Sequence, residues 1–105
     1  MYYYRLFSLC IGLLMGSLLY AGGIKGTIVD ENGEALAFAT IFVKELDTGT
    51  FSNAEGKYSY RLNPGKYTIA FQFIGYESQI KTVTIGAEYV EWQIVLKKQI
   101  YDLQF

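Results

Sequence analysis

The sequence predicts an all-β protein: a seven-stranded antiparallel Greek-key β-sandwich behind an N-terminal signal-peptide helix. Two observations carry the fold class. Short segments with a two-residue alternation of apolar and polar side chains recur about every 8–12 residues, separated by Gly, Asn and Asp turns. No segment sustains the 3.6-residue period of an amphipathic helix. A third observation supplies a landmark. Leu62, Pro64, Gly65 and Tyr67 have the spacing of a tyrosine corner, in which a Tyr at the start of a strand bonds back to the backbone of the preceding turn.

The first strand is expected over 24–29, with Ile24, Gly26 and Ile28 on one face and Gly22-Gly23 as a flexible, accessible lead-in. Asp30-Glu31-Asn32-Gly33 is a turn, because Asx side chains bond locally and Gly accepts positive φ. Residues 34–37 are alanine-rich, but β-branched residues follow and no helix cap precedes them. They are therefore expected to be extended, with Ala39, Ile41 and Val43 toward the core. Residues 45–49 read as a turn and 50–52 as a short strand. Asn53-Ala54-Glu55-Gly56 reads as a second turn with Gly56 at positive φ. Tyr58, Tyr60 and Leu62 should point inward from the next strand. Beyond the Pro64-Gly65 corner, Tyr67, Ile69, Phe71 and Phe73 should do the same from the central strand. Ile80 and Val83 have opposite parity, which predicts an edge strand or a bulge over 79–85. Val90, Trp92, Ile94 and Leu96 should face inward from the last strand, over 89–96.

The chain divides on paper into a leader (1–21), a sandwich domain (22–97) and a tail or truncated linker (98–105). Arg5 precedes an uncharged apolar run from Leu6 to Tyr20, and Ala21 offers a small residue at a cleavage position. This is the plan of a secretory signal peptide. The run is shorter than the roughly 20 residues that span a bilayer. Cys10, the single cysteine, lies inside it, so the mature domain would have no disulfide to hold it. Loss of Arg5 with the leader takes the formal charge from −1 to −2, and no basic run points to nucleic acid.

The chain has no histidine. Ser-His-Asp and Cys-His catalysis, histidine general-base chemistry and the usual catalytic zinc sites are therefore excluded. Acidic residues fall in turns, at Asp30, Glu31, Glu34, Glu45, Asp47 and Glu55, and read as solvated. Residues 30–34 place oxygen ligands at short spacing but lack the terminal bidentate Glu of an EF-hand loop. No catalytic, cofactor-binding or metal residue is assigned. Phe42, Phe51, Tyr76 and Tyr89 have the weakest claims to the interior. If several share one face, they would stack on sugar rings or contact a protein.

Three motifs then form a familiar series. The stretch from Gly26 to Val43, then Thr48-Gly49-Thr50 with Asn53-Ala54-Glu55-Gly56-Lys57-Tyr58, then Pro64-Gly65-Lys66-Tyr67 through Ile74-Gly75-Tyr76, resembles the carboxypeptidase regulatory-like domains. The family often has prolines where Ala35 and Ala37 stand here. The resemblance implies a transthyretin-like sandwich without catalytic activity. It also implies export, and a periplasmic or outer-membrane-associated place at the front of a TonB-dependent receptor or related outer-membrane protein. The expected partners are a protein or an adjoining plug or barrel domain, with carbohydrate as an alternative. Contact would run through sheet edges and turns, and membrane attachment only through the leader or a missing barrel. Residues 97–103 resemble the lead-in to that next domain.

Overall fold

The computed structural model describes residues 22–100. The leader and residues 101–105, and the expectations placed on them, lie outside the described residues. Seven strands form two layers: β1 (Gly22–Val29), β2 (Thr40–Val43), β3 (Thr48–Phe51), β4 (Lys57–Leu62), β5 (Gly65–Gln72), β6 (Gln79–Ile85) and β7 (Tyr89–Val95). One sheet has the order β4-β1-β7 and the other β3-β2-β5-β6. This is the transthyretin-like sandwich that the resemblance implies.

One pairing corrects the expectation of an antiparallel sandwich: β1 and β7 run parallel. Periodicity fixes which face a strand buries but not which strand lies beside it. Here the chain has passed through both sheets before β7 returns beside β1.

The core forms where the alternation places it. Ile24, Ile28, Ala39, Ile41, Val43, Tyr58, Leu62, Tyr67, Ile69, Phe71, Ile94 and Leu96 are buried, while Tyr60, Phe73, Val90 and Trp92 are partly buried against them. Phe71 sits edge-to-face between Tyr58 at 5.6 Å and Trp92 at 6.2 Å. Such pairs add about 0.5–1.5 kcal/mol beyond their buried area. Gly26 lies between Tyr58 and Trp92 in one cross-strand row. Its missing side chain lets Tyr58 reach across and donate its hydroxyl to the Trp92 carbonyl at 3.1 Å. The tyrosine corner is present: Tyr67 Oη donates to the Asn63 carbonyl at 2.7 Å.

Two turns share one construction. Asp30 Oδ1 accepts the N–H groups of Asn32 and Glu34, and Asn53 Oδ1 accepts those of Glu55 and Lys57, each at 2.9 Å. Gly33 and Gly56 follow at φ 81° and 78°, as their turns require. Residues 34–37 are not helical, in agreement with the sequence. The expected turn at 45–49 is instead a 3₁₀ turn, Lys44–Leu46, closed by Asp47 at φ 50°, with Thr48 and Gly49 already in β3. β6 is an edge strand without a bulge, since its register on β5 is unbroken.

Gly22 and Gly23 are buried in β1 opposite Leu62 and Arg61, where the sequence expects an accessible lead-in. A side chain at Gly22 would strike the Glu88 carbonyl, and one at Gly23 the Tyr60 carbonyl. The glycines are needed for this close approach of strands. The strand directions put Gly22 at one end of the sandwich and Leu96–Ile100 at the other. At that second end Glu77 N–H bonds the Lys97 carbonyl and Gln99 N–H bonds the Gly75 carbonyl. The start of the tail is thereby tied to the loop between β5 and β6.

Candidate interaction surface

The register sorts the outward side chains of each sheet into rows. On the three-stranded sheet the rows are Arg61–Gly23–Tyr89, Ser59–Lys25–Glu91 and Lys57–Thr27–Gln93. Lys25 lies 5.8 Å over the Tyr89 ring. These three rows all carry charge, and a fourth, Val29–Val95, is apolar with Val95 exposed. A shallow groove of 420 Å³ crosses this face, lined by Lys25, Thr27, Asn53, Lys57, Ser59 and Glu91 among others. No exposed aromatic ring floors the groove, so it offers no stacking platform for a sugar.

The four-stranded sheet differs. Its outward rows are Phe51–Thr40–Gln72, then Gly49–Phe42–Ala70–Ile80, then Thr68–Thr82 and Lys66–Thr84. Phe51 and Ile80 are 65% and 66% exposed, and Phe42 and Ala70 are half-buried between them. The first two rows hold no charge. At the other end of the face, Glu45 accepts the Thr68 N–H at 2.7 Å and the Thr68 hydroxyl at 2.9 Å. The Thr68 N–H holds the Glu45 carboxyl below its ordinary value.

Phe38 and Ser52 lie at the Phe51 end of this surface. Phe38, 68% exposed, takes the left-handed conformation at φ 61°, which is costly for an aromatic residue. Its N–H bonds the Ser52 carbonyl at 3.1 Å, which places it beside the end of β3. Ser52 is itself buried. Its Oγ accepts the Ala39 N–H at 2.9 Å and donates to the Leu36 carbonyl at 2.6 Å, fastening β3 to the chain entering β2. Nothing in the sequence pattern singled out Ser52. A hydroxyl on the inward parity of a strand was the available signal.

Of the four aromatics with weak claims to the interior, the structure brings two together. Phe42 and Phe51 share the uncharged face, Tyr76 packs edge-to-face on Phe73 at 5.4 Å, and Tyr89 lies on the opposite sheet. The strand edge beside the uncharged face is guarded. Lys81 points inward from edge strand β6 and lies 5.5 Å over Trp92, and an inward charge at an edge opposes addition of another strand. The β6 edge is thereby guarded against strand addition, while the face beside it is open.

The acidic turns serve the backbone. Asp30 Oδ1 is taken by two N–H groups, and the adjoining 250 Å³ cleft is shared by Asp30, Glu31, Asn32, Tyr76 and Lys98. Among the described residues, no three His, Cys, Asp or Glu side chains gather as a metal-binding group. Burial pushes the Tyr58 hydroxyl up to about 12, with Glu91 adding to the shift. That group is spent on the Trp92 carbonyl.

Comparison with known proteins agrees with the fold. The CarboxypepD_reg-like domain model matches residues 24–104, and the chain belongs to that family. Human carboxypeptidase N catalytic chain is 41% identical over 64 residues, covering 61% of this chain and 14% of that protein. The TonB-dependent receptor P39 of Formosa agariphila is 34% identical over 56 residues, covering 53% of this chain and 5% of the receptor. The chain therefore spans a small fraction of the curated relatives it matches. Among solved structures, the Bacillus anthracis TIE protein superposes with a TM-score of 0.62 at 17% identity, over 75% of this chain and 17% of that one. That likeness is one of fold.

Proposed function

We propose that this chain is an exported, non-catalytic interaction module. It would be the periplasmic N-terminal domain, or a short form of it, of a TonB-dependent receptor-like outer-membrane protein. The observation that carries the reading is the unequal treatment of the two outer faces: three of the four rows on one carry charge, and two adjacent rows on the other are uncharged and hold exposed Phe51 and Ile80. An exposed apolar surface on a small sandwich marks protein contact more readily than chemistry. The similarity to a TonB-dependent receptor and the apolar leader support the location. The chain also leaves the sandwich at the end opposite its entry, an arrangement that suits a module joined to a following domain.

The test is the intact mass of the product in its native host after separation of cytoplasm, periplasm and outer membrane. The expected product lacks residues 1–21 and lies in the envelope, either as a soluble species or as the front of a larger outer-membrane polypeptide. A cytoplasmic product that keeps its leader would overturn the proposal.

A further inference from the structure

The uncharged face has a pattern that suits one occupant in particular. Its central row reads Gly49–Phe42–Ala70–Ile80 across β3, β2, β5 and β6, which alternates small and large. Read in reverse, the same row is large–small–large–small. A two-fold axis parallel to the strands, midway between β2 and β5, would lay β3 of one copy over β6 of another and β2 over β5. Ile80 would then enter the hollow at Gly49, and Phe42 would cover Ala70, each contact occurring twice. Self-complementarity of this kind is what an isologous interface needs, and interdigitation is how two sheets pack face to face.

Charge points the same way. A face apposed to its own copy meets its own charges, and the two rows nearest Phe51 have none. An axis of the same kind through β1 would set Lys25 of the three-stranded sheet against Lys25 of the copy, at a cost of like-charge repulsion. Gly49 cannot be larger, because a side chain there would strike the Ile41 carbonyl of its own sheet. An axis along the strands also keeps both copies pointing the same way. Both chains would leave at one end of the pair, as two modules carried on one membrane must.

We infer that a second copy of this chain docks on the outer face of the four-stranded sheet through the row Gly49–Phe42–Ala70–Ile80. The inference rests on reading that face as a protein-contact surface. The row is only about 15 Å long at the usual strand spacing. The contact is well below the roughly 800 Å² per partner of a standard interface, so the dimer is weak and reversible.

Sedimentation equilibrium of the chain as processed by an exporting host reads the dimer from about 10 μM to about 1 mM. The apparent mass should climb toward twice the monomer. Ile80→Lys should weaken association by at least tenfold, whereas Ser59→Lys on the opposite sheet should leave it unchanged. A second experiment fixes the geometry in a Cys10→Ser background. The proposed axis sets Thr40 of one copy against Gln72 of the other. A mixture of Thr40→Cys and Gln72→Cys chains should form disulfide-linked dimers several-fold faster than either variant alone. A monomer at every concentration, an Ile80→Lys chain that associates like the parent, or equal cross-linking in all samples would overturn the inference. An exported chain that is monomeric would sink the second copy and leave the proposed module standing. A dimer that is never exported would do the reverse.

Discussion

The two sheets bury the same kind of core and present opposite surfaces to the outside. Inward, both contribute aliphatic and aromatic residues to one cluster around Phe71. Outward, one sheet shows Lys25, Lys57, Arg61 and Glu91, and the other shows Phe42, Phe51, Ala70 and Ile80. Folding alone asks nothing of an outward side chain except solubility. On the proposed reading, the difference between the faces reflects what each meets after folding.

The largest predicted effect separates the inner and outer sides of the uncharged sheet. Phe71 is fully buried, so Phe71→Ala should cost about 3–5 kcal/mol in denaturant unfolding. Phe51→Ala, two strands away on the outer side, should stay within about 0.5 kcal/mol. A large loss at Phe51 would mean that the outer face is structural, and the comparison would fail.

Next comes Ser52→Ala. It leaves the buried Ala39 N–H without its side-chain acceptor, at a cost of about 1–3 kcal/mol. Amide exchange should quicken in β2 and β3 while β1, β4 and β7 keep their protection. Uniform quickening would show that Ser52 does not act locally.

The pH extremes distinguish the sheets more gently. The Tyr58 hydroxyl titrates higher in the folded chain than in the unfolded one. Above about pH 10 the unfolded chain gives up this proton first. The stability linked to Tyr58 is thus intact below pH 10 and lost as pH rises toward about 12. Tyr58→Phe should remove that part of the alkaline slope. Glu45 behaves in the opposite sense: its carboxyl is held low by the Thr68 N–H, so its contribution is present above pH 4.5 and fades as pH falls below it. Glu45 is fully exposed, so this effect is the smallest. Glu45→Gln should flatten the acid limb only slightly.

The sequence made the inner side of the molecule legible and left the outer side largely unread. Tyr67 and its corner, the inward runs of β4, β5 and β7, and the edge position of β6 follow from local parity and turn chemistry, and they appear as expected. The parallel neighbour of β1, the burial of Gly22 and Gly23, and the fastening by Ser52 depend on residues far apart in the chain. So does the uncharged face. Phe42, Phe51 and Ile80 each look like an isolated exposed apolar residue until the register sets them in adjacent rows. Tyr76 and Tyr89, equally suspect in the sequence, are drawn to other places by the same register.

The contrast between the faces is tested most directly by photo-crosslinking in the cell envelope of the native host. A photoreactive amino acid is placed at position 80 on the uncharged face and, in a separate chain, at position 59 on the charged one. Both positions are exposed on strands at the sheet edges, so they sample solvent alike. Covalent protein adducts from position 80, and none above background from position 59, are the predicted result, whether the captured protein is a second copy or another component. Adducts from position 59 alone, or none from position 80, would contradict the assignment of the four-stranded sheet's outer face as the surface through which this domain works.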